Sequence, residues 1–350
     1  PRDGMKPSAW RQLMACGAYS VCSITMILVN KAIASYGEVE GTQQEPGFSV
    51  LPVVFQSLCA VVLIQAMRMG GLVAFEWPEA QVAAKTVPLS LSFVAMLFTG
   101  FMSLRHLSVP LVTVFKNVTN VVIVAGEWYI FREPVPWGVL LAVQLMLFGA
   151  LLAAMNDLTF GPTGFLWIGL NCLSSASYAL FMRDVTRTVG LSKFAAVAFN
   201  NGMCCTILLV VAVLSGELRT LSSMSLENPG GLSVERNFAL LNVVTGVNGF
   251  FLNFAQLWCV GTTSATTYAV IGSLNKIPVA LLGSLIFKAN LNFQGFIFIL
   301  INIGGGLMYS YAQIQATVRK DEKDDEAASV QQQQLFPSPK SSIDEHSFQR

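Results

Sequence analysis

Across 350 residues, 53% hydrophobic against only 12% charged side chains, at a mean hydropathy of +0.58, cannot cover a water-facing surface; soluble domains carry about a quarter charged residues. That balance excludes a cytosolic enzyme, a disordered chain and a secreted disulfide scaffold, and a formal net charge of +1 argues against a nucleic-acid binder. What remains is a polytopic membrane protein.

A spanning helix needs about 20 mostly apolar residues. Ten windows meet that length, centred near Cys22, Val61, Met96, Val121, Leu145, Ser174, Thr206, Phe250, Gly272 and Ile301. Residues 1–11 lead straight into the first window and are expected to be a cytosolic segment, not a cleaved signal. Residues 12–157 then form a first five-helix half and 158–312 a second. From Arg319 onward the chain is charged and low in complexity, so 313–350 are expected to be a disordered cytosolic tail. All seven cysteines lie in apolar stretches without zinc-site spacing and read as free buried thiols.

Orientation follows from the basic residues. The side bearing both termini carries 14 of the 21, among them Arg11, Arg68, Lys85, Arg132, Arg183 and Arg187. The opposite side carries five: Lys31, Arg105, Arg219, Arg236 and Lys288. Both termini are therefore expected in the cytosol. Two halves of five helices must have opposite topology if they share a fold, so the expected class is an all-α membrane protein of ten transmembrane helices in two inverted five-helix repeats. An internal echo supports this: SVPLVTVFKNVTNVVIVAGEWYIF in the fourth window and SATTYAVIGSLNKIPVALLGSLIF in the ninth each place an Asn beside a Lys at mid-span.

Intramembrane enzymes need a carboxylate pair, a metal-binding His cluster or a Ser/His arrangement. Here the only histidines are His106, at a helix end, and His346, in the tail, and Glu127 is the one clear carboxylate in a span. No enzyme, metal site or cofactor is expected. Three lysines touch the interior instead: Lys31, Lys116 and Lys276. Lys116 and Glu127 are 11 residues apart, about 16 Å along a helix, too far to pair directly. Lys116 pairs on another helix or faces a cavity; Lys31, near an interface, snorkels or joins it. Lys276 is followed by Pro278, which has no N–H for the carbonyl of Leu274, so the helix is expected to break and aim backbone dipoles beside an ammonium. That is an anion site. Phe199, Asn200 and Asn201 in the seventh window suit the edge of a purine, although Asn pairs also cap and bridge helices.

With these motifs in place, the chain resembles the GDP-mannose transporter group of Golgi nucleotide-sugar transporters, in the drug/metabolite transporter superfamily, over residues 10–312. Gly272 to Lys276 (GSLNK) looks like the GALNK signature, and Ala198 to Asn201 (AFNN) sits where that group carries FYNN. Tyr19, Asn30-Lys31, VPLVTVFKN ending in Lys116-Asn117, and TTYAV around Tyr268 are similar as well. The resemblance implies a Golgi antiporter, multi-pass with both termini cytosolic, that exchanges a cytosolic GDP-sugar for lumenal GMP by alternating access. Asn200 and Asn201 would read guanine, Lys276 and Tyr268 the phosphates, Gly272, Ser273 and Asn275 the sugar and ribose side, and Tyr19 would line the pocket; Lys116, Asn117 and Lys31 are further candidates. The expected partners are a GDP-sugar, GMP and membrane lipid, with a homodimer as an open alternative. Two departures bear on the cargo: Phe199 lacks a tyrosine hydroxyl, and Ser273 adds one, to meet a sugar or a helix carbonyl. GDP-mannose, GDP-fucose, GDP-galactose and GDP-arabinose stay open in that order, and a UDP-sugar or sugar phosphate is the alternative.

Overall fold

The computed structural model describes residues 9–35, 50–132, 134–156, 161–188, 193–219, 232–263, 265–288 and 293–335. Among these residues every extended element is helical: α1 (Ala9–Ala34), α2 (Leu51–Met69), α3 (Ala80–His106), α4 (Val109–Phe131), α5 (Trp137–Asn156), α6 (Pro162–Thr188), α7 (Lys193–Leu214), α8 (Leu232–Thr262), α9 (Ala265–Leu274), α10 (Lys276–Ile286) and α11 (Phe293–Leu335). Nine of them, α1 to α8 and α11, are each long and apolar enough to cross a membrane. The window near Gly272 forms no single long helix; it is divided into α9 and α10, of 10 and 11 residues.

The division lies at Asn275, three residues before the proline expected to cause it. Proline lacks the N–H that the Leu274 carbonyl would accept, and its ring crowds that carbonyl, so distortion appears one turn upstream. The turn itself is mild. Asn275 keeps right-handed helical angles (φ −60°, ψ −22°), its N–H donates to Ile271 O at 2.8 Å, and its carbonyl accepts from Val279 N at 3.2 Å. α10 restarts at Lys276 and holds Pro278 in its first turn, so the restart expected at Pro278 falls two residues earlier.

Helix ends are set by local chemistry. Ser108 caps α4 by accepting from Leu111 N, with Pro110 in the first turn. α2 begins after Val50, which has no capping group, and the Glu217 carboxylate accepts from Val50 N and Leu51 N at 3.1 to 3.2 Å in its place. α11 continues as helix to Leu335, so the stretch 319–335 is helical where composition led us to expect disorder. Its Lys, Glu, Ala and Gln residues are strong helix formers, and Lys320 and Asp324 stand at i,i+4 spacing. Residues 336–350 lie outside the described residues.

The bundle is apolar outside and polar within. Leu141, Phe148 and Leu151 of α5 and Leu285 of α10 are exposed, whereas Ser57, Ser90, Asn117, Asn171, Thr245 and Asn302 are buried. Lipid tails give no hydrophobic drive between helices, so association depends on close packing and inter-helix hydrogen bonds. Both are present where α5 packs on α11: a Cβ built on Gly149 would lie 2.7 Å from Asn302 N, and one on Gly305 would lie 2.9 Å from Met146 N. α3 packs on α6 and α1 on α8, each joined by an asparagine: Asn171 donates to Met96 O at 2.8 Å and Asn248 to Cys22 O at 2.9 Å. Exposed Trp10, Trp77, Trp128 and Trp137 lie at the membrane end where α1 starts and α4 gives way to α5, an interfacial belt on the side rich in Arg and Lys.

Gly149→Val is expected to force α5 from α11 and destabilise the fold by about 1 to 3 kcal/mol or more, seen as a lowered unfolding temperature in detergent. Gly169→Ala, where an added Cβ meets nothing within 4 Å, should leave that temperature unchanged or raise it.

Candidate substrate-binding site

Two groups of polar side chains occupy the interior, carried by different helices. The first lies among α1, α4, α9, α10 and α11. Lys276, the first residue of α10, extends its ammonium to Asn117 of α4 and donates to Oδ1. Asn117 is fully buried and donates through Nδ2 to Asn302 Oδ1 at 2.7 Å; Asn302, also fully buried, donates to Met146 O at 2.6 Å. Gly306 makes room for this, since a Cβ there would lie 3.0 Å from Asn117 Oδ1. Lys116, next to Asn117 in α4, keeps an accessible side chain. The ammonium groups of Lys116 and Lys276 are close enough to repel each other.

Around that pair stand most of the residues that the sequence singled out. Tyr19 of α1 and Tyr268 of α9 meet with ring centroids 4.7 Å apart and planes inclined by 41°. A Cβ on Gly272 would lie 3.1 Å from the Tyr19 hydroxyl, so the glycine allows this approach. Ser273 Oγ lies 2.9 Å from Ser310 Oγ, and Ser310 in turn donates to Gly306 O at 3.0 Å. With its own proton on Gly306 O, Ser310 is left to accept, so Ser273 donates to it. The extra hydroxyl of the GSLNK motif thus meets a serine of α11. Asn275 is buried, and its Nδ2 has no hydrogen-bond partner among the described residues.

The second group lies on α7 and its neighbours α2 and α3, whereas α9 and α10 pack on α1, α4 and α11. Asn200 is buried and its Oδ1 accepts from Ser90 Oγ of α3 at 2.8 Å. Asn201 turns its Nδ2 back to Val197 O at 2.8 Å. These bonds divide the pair's capacity: Asn200 keeps amide donors and Asn201 keeps an acceptor. Phe199 is partly buried beside them. A tyrosine hydroxyl does reach the pair from another helix: Tyr178 of α6 stands within hydrogen-bonding reach of Asn200.

Lys31 sits apart from both groups. Its ammonium donates to Leu104 O at 2.6 Å and Leu107 O at 3.1 Å, at the C-terminal end of α3, where unsatisfied carbonyls and the helix dipole favour a cation. Neither Asn302 nor Ser310, Ser90 and Tyr178 was singled out from the sequence. The one signal available was the Asn in the apolar run INIGGG, a polar residue set among glycines at mid-span. Lys31→Met is expected to lower stability by about 1 to 3 kcal/mol by leaving α3 carbonyls unsatisfied, measured by thermal unfolding, with little change in the affinity for anions. Lys116→Met should do the reverse.

The Triose-phosphate Transporter family model matches residues 11–310. The GDP-mannose transporter GONST1 of Arabidopsis thaliana is 30% identical over 313 residues, covering 87% of this chain and 90% of that protein. GDP-mannose transporters of Aspergillus oryzae and Aspergillus terreus are each 30% identical, over 316 and 318 residues, covering 86% of this chain and 80% of each of theirs. A solved crystal structure superposes with a TM-score of 0.52 over 83% of this chain and 98% of that one at 12% identity, a likeness of fold alone. Nine helices long and apolar enough to span among the described residues, buried polar groups in the interior, and matches of this extent lead to one conclusion: the chain is a multi-pass membrane protein that belongs to the Triose-phosphate Transporter family, among relatives named GDP-mannose transporters.

Proposed function

We propose that this chain is a nucleotide-sugar antiporter of the Golgi membrane, exchanging a cytosolic GDP-sugar, GDP-mannose first, for lumenal GMP by alternating access. The observation that carries the reading is the pair of interior ammonium groups, Lys116 and Lys276. The partner that Lys276 does have, Asn117, is a neutral amide that leaves the positive charge uncancelled. Phosphate esters of GMP or of a GDP-sugar carry about −2, which matches that charge. Relatives named GDP-mannose transporters support the choice of cargo.

Recognition of the base follows from the division of labour in α7. Guanine presents O6 as an acceptor and N1–H with the exocyclic amine as donors; Asn200 retains donors for the first and Asn201 an acceptor for the second. The phosphates would meet Lys276, Lys116 and Tyr268. The sugar and ribose side would meet Tyr19, Gly272, Ser273 and the unpartnered Nδ2 of Asn275. A nucleotide-sugar would bridge the two polar groups from α7 to α10.

Transport needs a fold that can expose this site to either side. α9 and α10 taken together would supply a tenth crossing of 22 residues, or about 33 Å of helix with the turn included. Exchanging α1 with α6, α2 with α7, α3 with α8, α4 with α9 and α10, and α5 with α11 turns the α3–α6 packing into α8–α1, α2–α8 into α7–α3, and α4–α5 into α9–α11. It returns α2–α7, α4–α10 and α5–α11 to themselves. All of these packings occur, which supports two inverted repeats over 12–157 and 158–312. The excess of basic residues at the membrane end of the N-terminus supports cytosolic termini. An empty cationic cavity is costly to turn through a low-dielectric barrier, whereas a loaded one is nearly neutral, so uptake should require a counter-cargo.

The deciding experiment is exchange in reconstituted vesicles. Vesicles loaded with GMP should take up labelled GDP-mannose, while UMP-loaded and empty ones should not. Uptake into empty vesicles at the same rate would rule out exchange, and equal driving by UMP would move the assignment to a UDP-sugar. Lys276→Ala should weaken GMP and GDP-mannose binding about 10- to 150-fold with little effect on guanosine. Asn200→Asp keeps the acceptor for Ser90 but loses the donor for O6. Since adenine carries a donor at the position of O6, competition of GMP exchange by AMP should improve relative to GMP.

A further inference from the structure

Asn302 of α11 belongs to none of the motifs that drew attention to the interior, yet the chain of hydrogen bonds from Lys276 ends on it and on the backbone behind it. The chain runs in one direction. The Lys276 ammonium can only donate, so Asn117 must turn Oδ1 toward it and Nδ2 toward Asn302. Asn302 must then accept through Oδ1, and its own Nδ2 is directed at Met146 O of α5, a carbonyl that can only accept. Reversing either amide would set donor against donor at Lys276 or oxygen against oxygen at Met146. Met146 O therefore determines the orientation of Asn302, Asn302 that of Asn117, and Asn117 the position of the ammonium. Asn117 and Asn302 are fully buried, and Gly149 and Gly306 hold them close, so no side-chain rotation is free to undo the order.

The neutrality of the relay is as informative as its direction. A carboxylate at position 117 would pair with the lysine but cancel its charge, leaving little attraction for an anion. Two amides hold the ammonium in place and keep the positive charge available. An arriving phosphate oxygen can then replace Asn117 as the acceptor, and Asn117, still held through Nδ2 by Asn302, does not follow it. We propose that Asn302 is a positioning residue for the anion-binding ammonium of Lys276, acting through Asn117 and anchored by Met146 O. This rests on the reading of Lys276 as the phosphate ligand.

The test compares ligands with and without phosphate on purified, monodisperse protein. Asn302→Leu, similar in size and unable to hydrogen-bond, should weaken GMP binding about tenfold and leave guanosine binding nearly unchanged. In a Lys276→Ala background the same substitution should cause no further loss for GMP, because the group it positions is gone. Asn302→Ser, which restores a smaller donor and acceptor, should recover part of the affinity, and it serves for the same comparison if the leucine variant does not fold. Equal losses for GMP and guanosine, or additive losses in the double variant, would overturn the proposal and make Asn302 a packing residue alone. If wild-type protein binds UMP and not GMP, the guanine assignment fails and the Asn302 comparison is read with UMP and uridine. If it binds neither nucleotide nor inorganic phosphate, both readings fall.

Discussion

An ammonium group at the middle of a hydrocarbon slab must find acceptors without losing the charge that makes it useful. In this protein Lys276 meets that demand through an amide, and much of the surrounding structure follows from it. The partner Asn117 comes from α4, its own support Asn302 from α11, and the last acceptor from the backbone of α5, so one side chain ties four helices together. Close approach of α5 to α11 is what brings Met146 within reach, and Gly149 and Gly305 make that approach sterically allowed. The turn between α9 and α10 matters for the same reason, since it begins the second helix at the lysine itself.

Charged and polar residues elsewhere show the alternative. Lys31 is buried, but its ammonium is directed at the end of α3, where two carbonyls absorb its donors and the helix dipole favours it. Glu217 does the complementary thing at the start of α2. Both groups join helix ends and are committed to the fold. Lys116 and Lys276 differ in that one keeps an accessible side chain and the other is held by a neutral group. Residue type is identical, and only the surroundings separate a structural cation from one that can receive a ligand.

The hydrogen bonding of α7 carries the same lesson for asparagine. A pair of adjacent amides offers up to four donors and two acceptors, which fits too many bases to identify one. Once Ser90 uses one lone pair of Asn200 Oδ1 and Val197 one N–H of Asn201, the remaining capacity leans toward donors on Asn200 and acceptors on Asn201, an order that guanine would match. Base preference in this reading therefore comes from neighbours of the motif as much as from the motif.

From the sequence alone the class of protein, the position of nearly every membrane crossing and the identity of the interior lysines were legible, because lipid imposes a length and a composition that each span must meet locally. GSLNK and AFNN likewise marked helices that carry buried polar groups. Other features depended on packing between distant segments. Asn117 and Asn302 are 185 positions apart, and nothing in either neighbourhood encodes the other. Tyr178 could not be seen to reach Asn200 until α6 was placed against α3, where its ring meets Phe93. The helix carried past Arg319 was hidden for the opposite reason, since composition reported charge while the residues there are also strong helix formers. Hydropathy is a property that each segment carries by itself, whereas a hydrogen-bond partner is chosen only when helices pack; the sequence therefore determined the membrane protein and its charged residues, and the tertiary structure decided which of those charges meets helix-end carbonyls and which meets a neutral amide.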